Sequence, residues 1–258
     1  MLVPCHYLLL VLATLGSEPT WEVLGLDARL VIDANQTTIH VDEIIHLNSG
    51  PHPHHGFDRQ LPTVLNHPLV GRLPLRIQVR SVTRAGGVPV PYRVEEGSHY
   101  LAVRAGHPDS TQVGDTIFRL EYDVDGAIVA GMDRASLTWP VIGGEWEAQV
   151  LQVEAVVQLP DHLPAGELLA GSHTGYFGDQ GQAADVQMVD PGRLVYRQFR
   201  GLKAHQRFTI HASWPRAGAG ENTAGAVTGG GWFMPLALVI LATLVFVYLR
   251  RRATTAPA

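Results

Sequence analysis

The sequence predicts an all-β fold: an antiparallel β-sandwich that is exported from the cytoplasm, followed by one C-terminal transmembrane helix. Apolar or β-branched side chains recur at alternating positions through the middle of the chain, as in half-buried strands. Turn-forming residues, such as the Asp125-Gly126 pair, separate these segments. No segment of that middle region shows the apolar spacing of a globular helix. Short strands separated by turns at this frequency are typical of a sandwich.

The alternating segments share a period of two and are bounded by Gly, Pro, Asn or Asp. In chain order they are RLVID, TTIHVDEIIHL, LRIQVRSV, VPVPYRV, YLAVRA, TIFRLEYDV, ASLTWPV, VLQVEAVVQLP, LVYRQF and RFTIHASW. The second one contains an irregularity, because two consecutive apolar residues, Ile44 and Ile45, follow Asp42 and Glu43. We expect a β-bulge at this point, since a bulge would place both isoleucines on the apolar face.

The amino-terminal apolar run is too short to cross a bilayer and is followed by small residues. We interpret residues 1–17 as a signal peptide; a buried strand is the alternative. Residues 18–215 are then the exported domain. Its size allows one large or two small domains.

A second apolar run, residues 232–249, contains no charged residue and is long enough to span a bilayer as a helix. Trp232 and Tyr248 lie near its ends, where interfacial aromatics are common. Three arginines follow directly, which predicts that the tail, residues 250–258, is cytoplasmic. Residues 216–231 are rich in Gly and Ala and are interpreted as a flexible tether.

Charge and cysteine content exclude several classes of protein. All 24 acidic residues but only 16 of the 19 basic residues lie between Glu18 and Gly231, so this part carries a formal charge of −8. Such a balance argues against a nucleic-acid partner. The single cysteine, Cys5, lies in the predicted signal peptide. The exported domain is therefore expected to fold without disulfides or thiolate ligands.

A histidine-rich segment raises the question of a metal site. His52, His54 and His55 lie close together, and in an extended chain His55 points away from the other two. Zinc, copper or nickel binding would then need a ligand from elsewhere, such as His67, Asp58 or Glu43. A solvated loop is the alternative.

The residues that follow suggest a structural corner. Gly56 can adopt a positive φ or allow another strand to approach closely, and Phe57 can bury its ring. Arg59 can pair with a carboxylate. We consider a buried ion pair between Arg59 and Glu43; a simply exposed arginine is the alternative.

Two tryptophans, Trp139 and Trp146, flank the sequence PVIGGE. Indoles on a surface can form a platform for a glycan or a peptide. The alternative is that Trp139 faces the core and Trp146 closes an edge of the sandwich after the Gly-Gly turn.

Four segments taken together resemble a known family. They are RLVIDANQTTIHVDEIIHL, HHGFDRQLP, FRLEYDVDGAI and LTWPVIGGEWEAQVLQVEAVVQLP. In this order they are similar to the exported N-terminal domain of the DUF2207 family, the YciQ-like predicted bacterial membrane proteins. The resemblance is closest over residues 29–160 and looser over 194–215. HHGFDRQLP corresponds to a turn in the family, in which Asp58 replaces an aromatic residue and Gln60 an acidic one. The resemblance implies a fold and a location, and no reaction.

Motifs of common enzymes are absent from the sequence: no GxSxG, HExxH, GxxxxGK[ST] or GxGxxG occurs. We therefore expect a protein that is not an enzyme and needs no cofactor. The first hypothesis is a membrane-anchored binding or structural module of the bacterial cell envelope, which contacts a protein or another envelope component. The alternatives are a metal-binding envelope protein that uses the His52–His67 cluster, and a structural subunit of a larger membrane complex.

Overall fold

The computed structural model describes residues 21–33, 35–67, 70–160, 168–179, 181, 184–190 and 192–216. These residues form β-strands and turns, with one short 3₁₀ turn at Ala85–Gly87. The predicted all-β class is confirmed for this part of the chain. None of its elements is a helix long and apolar enough to span a membrane. The predicted signal peptide, the predicted transmembrane helix and nearly all of the predicted tether lie outside the described residues.

The strands are numbered in chain order. They are β1 (Glu22–Ile32), β2 (Thr38–Asn48), β3 (Gly56–Pro62), β4 (Val64–His67), β5 (Gly71–Pro74), β6 (Arg76–Arg84), β7 (Tyr92–Glu96), β8 (Tyr100–Gly106), β9 (Asp115–Asp125), β10 (Ile128–Ala130), β11 (Arg134–Ile142), β12 (Val153–Gln158), β13 (Leu169–Gly175), β14 (Asp185–Asp190), β15 (Arg193–Gln198) and β16 (Arg207–Pro215). They build a seven-stranded sheet in the order β14-β15-β12-β1-β2-β9-β6 and a four-stranded sheet in the order β10-β11-β16-β13. A three-stranded sheet has the order β3-β8-β7, and β4 pairs with β5.

One strand pair differs from the predicted antiparallel arrangement. Strand β1 pairs in parallel with β12, with Leu26 opposite Val153, while its other neighbour, β2, is antiparallel. A parallel neighbour needs a long crossover connection, and here the connection includes the three-stranded sheet and half of the four-stranded sheet. Turn signals indicate only local hairpins, and no sequence pattern indicates this parallel pair.

Strand β2 contains no bulge, which corrects the expectation for Ile44 and Ile45. Its register with β9 runs without a shift from Thr38 to Asn48. Burial alternates regularly, so that Glu43 and Ile45 face inward and Ile44 faces outward. A carboxylate thus occupies an inward position of this strand.

The segment interpreted as a turn around HGFDRQLP is strand β3, and it pairs with β8 along its whole length. Burial again alternates, with Phe57, Arg59 and Leu61 facing inward. Like β2, therefore, β3 carries one charged residue on its apolar face.

One hydrophobic core joins side chains from the three larger sheets, including Ile45, Leu61 and Trp139. Ring contacts link the sheets directly: the centroids of Phe57 and Phe118 are 4.8 Å apart. The two inward charges, Glu43 and Arg59, are both fully buried within this core.

Candidate functional site

The guanidinium group of Arg59 is the centre of a buried polar network. Its Nε and Nη2 atoms each donate to one carboxylate oxygen of Glu43 at 3.0 Å, which forms a two-bond fork. Nη1 donates to Glu145 at 2.6 Å and to the carbonyl oxygen of Gln60 at 3.1 Å. Nη2 also donates to the carbonyl oxygen of Val141 at 2.9 Å. All the N–H groups that an arginine possesses are therefore satisfied, and the ion pair considered from the sequence is present.

The network continues through Tyr122, whose hydroxyl donates to Glu43 at 2.6 Å. Burial, and then the charge of Glu43, raises the pKa of Tyr122 well above its ordinary value, so the phenol stays protonated and acts as a donor. Burial alone would lower the pKa of Arg59, but Glu43 and Glu145 outweigh burial and raise that pKa. The guanidinium is permanently charged, so the network is fixed by both charge and geometry.

Glu145 connects this network to the surface. Its side chain is 17% exposed, whereas those of Arg59 and Glu43 are almost completely enclosed. Burial raises the pKa of Glu145, although Arg59 opposes the effect. The Glu145 carboxylate accepts a hydrogen bond from Arg59 on its buried side, and it also lines an open groove.

The groove has a volume of about 810 Å³ and is the candidate binding site. Its walls combine aromatic rings with charged groups and histidines. Among the lining residues are Trp21, Tyr92, Trp146, Asp58, Glu147 and Arg104. Grooves of this size that mix apolar surface with a few polar groups are typical ligand sites.

Three of the predicted structural residues, Gly56, Phe57 and Trp146, line the groove. Gly56 permits the close approach of β3 and β8, since a Cβ atom there would overlap the carbonyl oxygen of Ala105. Phe57 is buried against Phe118. Both Gly56 and Phe57 also contribute to the groove wall.

The three histidines of the candidate metal site lie in different environments. His52 is exposed. Nδ1 of His54 lies 3.0 Å from the carbonyl oxygen of Gly56, and Nδ1 of His55 lies 3.2 Å from that of Ser110. Across the described residues, no group of three or more His, Cys, Asp or Glu side chains is placed to hold a metal ion. Metal binding by these histidines stays a prediction from the sequence.

Trp139 and Trp146 are both buried, so they do not form an exposed platform. Trp139 lies on the inner face of β11, and its ring centroid is 6.3 Å from that of Tyr122. The Trp146 ring lies 6.0 Å from Trp21 and 5.8 Å from the Arg59 guanidinium. Trp146 therefore packs between the buried network and the groove.

Sequence reasoning missed Glu145, Tyr122 and Ser49. Glu145 lies between the Gly pair and Trp146, where a carboxylate next to an aromatic residue could have been noticed. Tyr122 occupies an inward position of β9 directly beside the strand of Glu43. Ser49 follows β2 and is 3% exposed, and no pattern in the sequence distinguishes it from an ordinary turn residue.

A second polar cluster, which does not line the groove, surrounds His211 in β16. Its Nδ1 lies 3.1 Å from the hydroxyl of Thr138, and its ring packs edge-on against His173, with centroids 4.8 Å apart. Nε2 of His211 is buried without a hydrogen-bond partner among the described residues. Burial, and then the nearby His173 and His67, lowers the pKa of His211 to about 4. The ring is therefore neutral at neutral pH.

Several known structures share a loose similarity with the chain. Native leukotriene A4 hydrolase from Saccharomyces cerevisiae is 10% identical with a TM-score of 0.46, over 77% of this chain and 31% of the hydrolase. An M1 zinc metallopeptidase from Deinococcus radiodurans is 11% identical with a TM-score of 0.36, over 74% of this chain and 42% of the peptidase. At these identities and TM-scores neither enzyme's activity carries over to this chain.

Sequence comparison gives a more specific result. The chain is 25% identical over 166 residues to "Uncharacterized protein YciQ" of Escherichia coli (strain K12), a match that covers 63% of this chain and 25% of that protein. The matched part thus spans a quarter of the relative's length. The family profile described as "Predicted membrane protein (DUF2207) N-terminal domain" matches residues 23–214, and the chain accordingly belongs to the DUF2207 family of predicted membrane proteins.

Proposed function

We propose that the protein is a non-enzymatic binding module of the bacterial cell envelope, whose ligand occupies the groove beside Trp146. Residues 18–215 would lie outside the cytoplasm, and residues 232–249 would anchor them in the membrane. Membership of a family of predicted membrane proteins supports the location.

The observation that carries the proposal is the groove and its support. A groove of about 810 Å³ lies directly above a guanidinium group whose donors are all engaged. Rigid support of this kind keeps the wall residues in place before a ligand arrives, which reduces the entropy cost of binding. Arg59 itself is fully buried, so it supports the wall and does not offer a reactive group to a ligand.

The test is photo-crosslinking in intact bacteria with the full-length chain. A benzophenone amino acid replaces Tyr92, a groove residue that is 40% exposed. The control carries the same amino acid at Tyr176, which is 48% exposed and does not line the groove. We expect irradiation to give a discrete adduct at position 92 that is absent at position 176. No adduct at position 92, or the same adducts at both positions, would contradict the proposal.

A further inference from the structure

The charged groups at the groove are unequal in number. Three guanidinium groups and five carboxylates lie in the groove wall or in the ion-pair network that extends from it. The guanidinium groups belong to Arg59, Arg93 and Arg104, and the carboxylates to Glu43, Asp58, Glu95, Glu145 and Glu147. Negative charge is therefore in excess at this surface.

The excess arises around Arg59, which pairs with two carboxylates, and at Glu147. Arg104 pairs with Asp58 at 2.9 Å and with Glu95 at 3.4 Å, and Arg93 also pairs with Glu95. Beneath Trp146 the single charge of Arg59 is divided between two carboxylates, Glu43 and Glu145. Glu147 is exposed and has no ion-pair partner among the described residues.

The pKa of Glu145 is raised mainly by burial. The neighbouring charge of Glu43 acts in the same direction, while the shared guanidinium compensates only in part. A cation that entered the groove would supply the missing charge in a partly desolvated setting, where an ion pair is stronger than in water.

Unused hydrogen-bonding atoms lie in the same walls. Ser49 and Trp146 are each 3% exposed, and their Oγ and Nε1 atoms have no partner among the described residues. Nδ1 of His54 must donate to the carbonyl oxygen of Gly56, so in the neutral ring Nε2 is an acceptor, and it too is buried without a partner. Buried polar atoms that lack partners are costly, and a ligand can satisfy them.

The aromatic rings suit the same kind of ligand. Trp21 and Trp146 lie 6.0 Å apart, and Tyr92 stands on the groove wall. Cations are attracted to the faces of such rings, and apolar groups pack on them. An ammonium group also donates three hydrogen bonds, and the groove wall offers the acceptors of Glu145, Glu147 and His54.

We propose that the groove binds a small ligand in which a primary ammonium group is attached to an apolar or aromatic portion. The ammonium would lie between Glu145 and Glu147, and the apolar portion against the Trp21 and Tyr92 rings. This inference rests on the proposed function, since it assigns a ligand class to the same groove.

The test uses three probes that share one ring and differ in charge: benzylamine, benzyl alcohol and benzoate. Binding to the full-length chain in lipid nanodiscs is measured by saturation-transfer NMR, with empty nanodiscs as the reference for partitioning into lipid. We expect benzylamine to bind at least about tenfold more tightly than the alcohol or benzoate, because opposite charges add to the ring contact.

Two matched variants locate the effect. Glu147→Gln removes the unpaired carboxylate from an exposed position and should weaken benzylamine binding about fivefold or more. Glu96→Gln makes the same change at an exposed glutamate outside the groove, and binding should be unchanged.

Equal binding of benzylamine and benzyl alcohol, preference for benzoate, or no effect of Glu147→Gln would each overturn the inference. If those results accompany a specific adduct at position 92 in cells, the groove still binds a ligand and only the ligand class is wrong. If no probe binds and position 92 gives no adduct, the ligand class and the proposed function fail together.

Discussion

Arg59 and Glu43 illustrate how two charged residues can occupy apolar faces of strands. Each alone would be a buried charge without a counter-ion, which is strongly unfavourable. Together they form a fork in which both hydrogen bonds are 3.0 Å long. Tyr122 donates a further hydrogen bond to Glu43, and the carbonyl oxygen of Val141 accepts one from Arg59. Removal of one partner leaves the other charged and enclosed.

Replacement of Arg59 should therefore destabilise the protein strongly. We expect Arg59→Ala to lower the free energy of unfolding by about 3 to 5 kcal/mol, because Glu43 is left as an uncompensated buried carboxylate. Urea denaturation of the full-length chain, followed by tryptophan fluorescence, measures this loss.

Arg104→Ala is the matched control. This arginine also pairs with a carboxylate, Asp58, but its side chain is 48% exposed, and we expect a loss of about 1 kcal/mol or less. A loss at Arg59 as small as that at Arg104 would show that the buried network does not form.

His211 should make stability dependent on pH. Its pKa is lowered from 6.5 to about 4 in the folded protein, first by burial. The neutral His211 ring contributes to the free energy of unfolding. This contribution is complete above the pKa that His211 has in the unfolded chain, and it is lost as pH falls through the lower pKa that His211 has in the folded protein. The native chain should therefore lose free energy of unfolding when the pH falls from about 7 to about 5. We expect this loss to be smaller by about 1 to 2 kcal/mol in His211→Gln, after allowance for the partial exposure of the ring.

Denaturation at the two pH values, for the native chain and for the variant, gives this difference. His52→Gln provides the comparison, since His52 is exposed in a loop, and it should leave the pH dependence as in the native chain. An identical pH dependence for His211→Gln and the native chain would contradict the assignment.

At the scale of the elements, β2 and β3 show where sequence patterns succeed and where they fail. Most of the alternating segments correspond to strands, because a period of two in apolar residues follows directly from burial of one face. In β3 the inward residues are Phe57, Arg59 and Leu61, and the arginine hides the alternation. In β2, Glu43 has the same effect and suggested a bulge that does not exist.

The two failures share one physical cause. Each pattern breaks at a charged residue whose partner lies on another strand, since Glu43 in β2 pairs with Arg59 in β3. One signal would have identified both the strand β3 and the regular register of β2. It is a charged residue at an inward position of one strand, matched by an opposite charge at an inward position of another.

The contact between β3 and β8 should depend on Gly56. Gly56 lies opposite Gly106, and a side chain at position 56 would overlap the carbonyl oxygen of Ala105. We expect Gly56→Ala to lower the free energy of unfolding by about 1 to 3 kcal/mol, because the two strands must separate locally. Thermal or urea denaturation of the full-length chain measures the effect.

Gly171→Ala, in β13, is the control for this substitution. A Cβ atom there would meet no heavy atom within 4 Å, so the change should stay within about 0.5 kcal/mol of neutral. If Gly56→Ala proved as neutral as Gly171→Ala, the close pairing of β3 with β8 would be refuted.

At the scale of the whole molecule, one guanidinium group contacts residues from all three larger sheets. Gln60 belongs to the three-stranded sheet, Glu43 to the seven-stranded sheet and Val141 to the four-stranded sheet. The all-β class followed from local pattern, whereas this convergence did not. It depends on pairings distant in sequence, such as β1 with β12, and a single sequence contains no direct signal for them.

Amide hydrogen exchange of the full-length chain, read by mass spectrometry, tests the central role of Arg59 most directly. The comparison is between the native chain, Arg59→Lys and Arg104→Ala; lysine keeps the charge but cannot reproduce the planar fork. We predict that Arg59→Lys speeds exchange together in β2, β3 and β11, while Arg104→Ala affects only the neighbourhood of β7 and β8. Faster exchange confined to β3 in Arg59→Lys would contradict the account, because the arginine would then not hold the three sheets together.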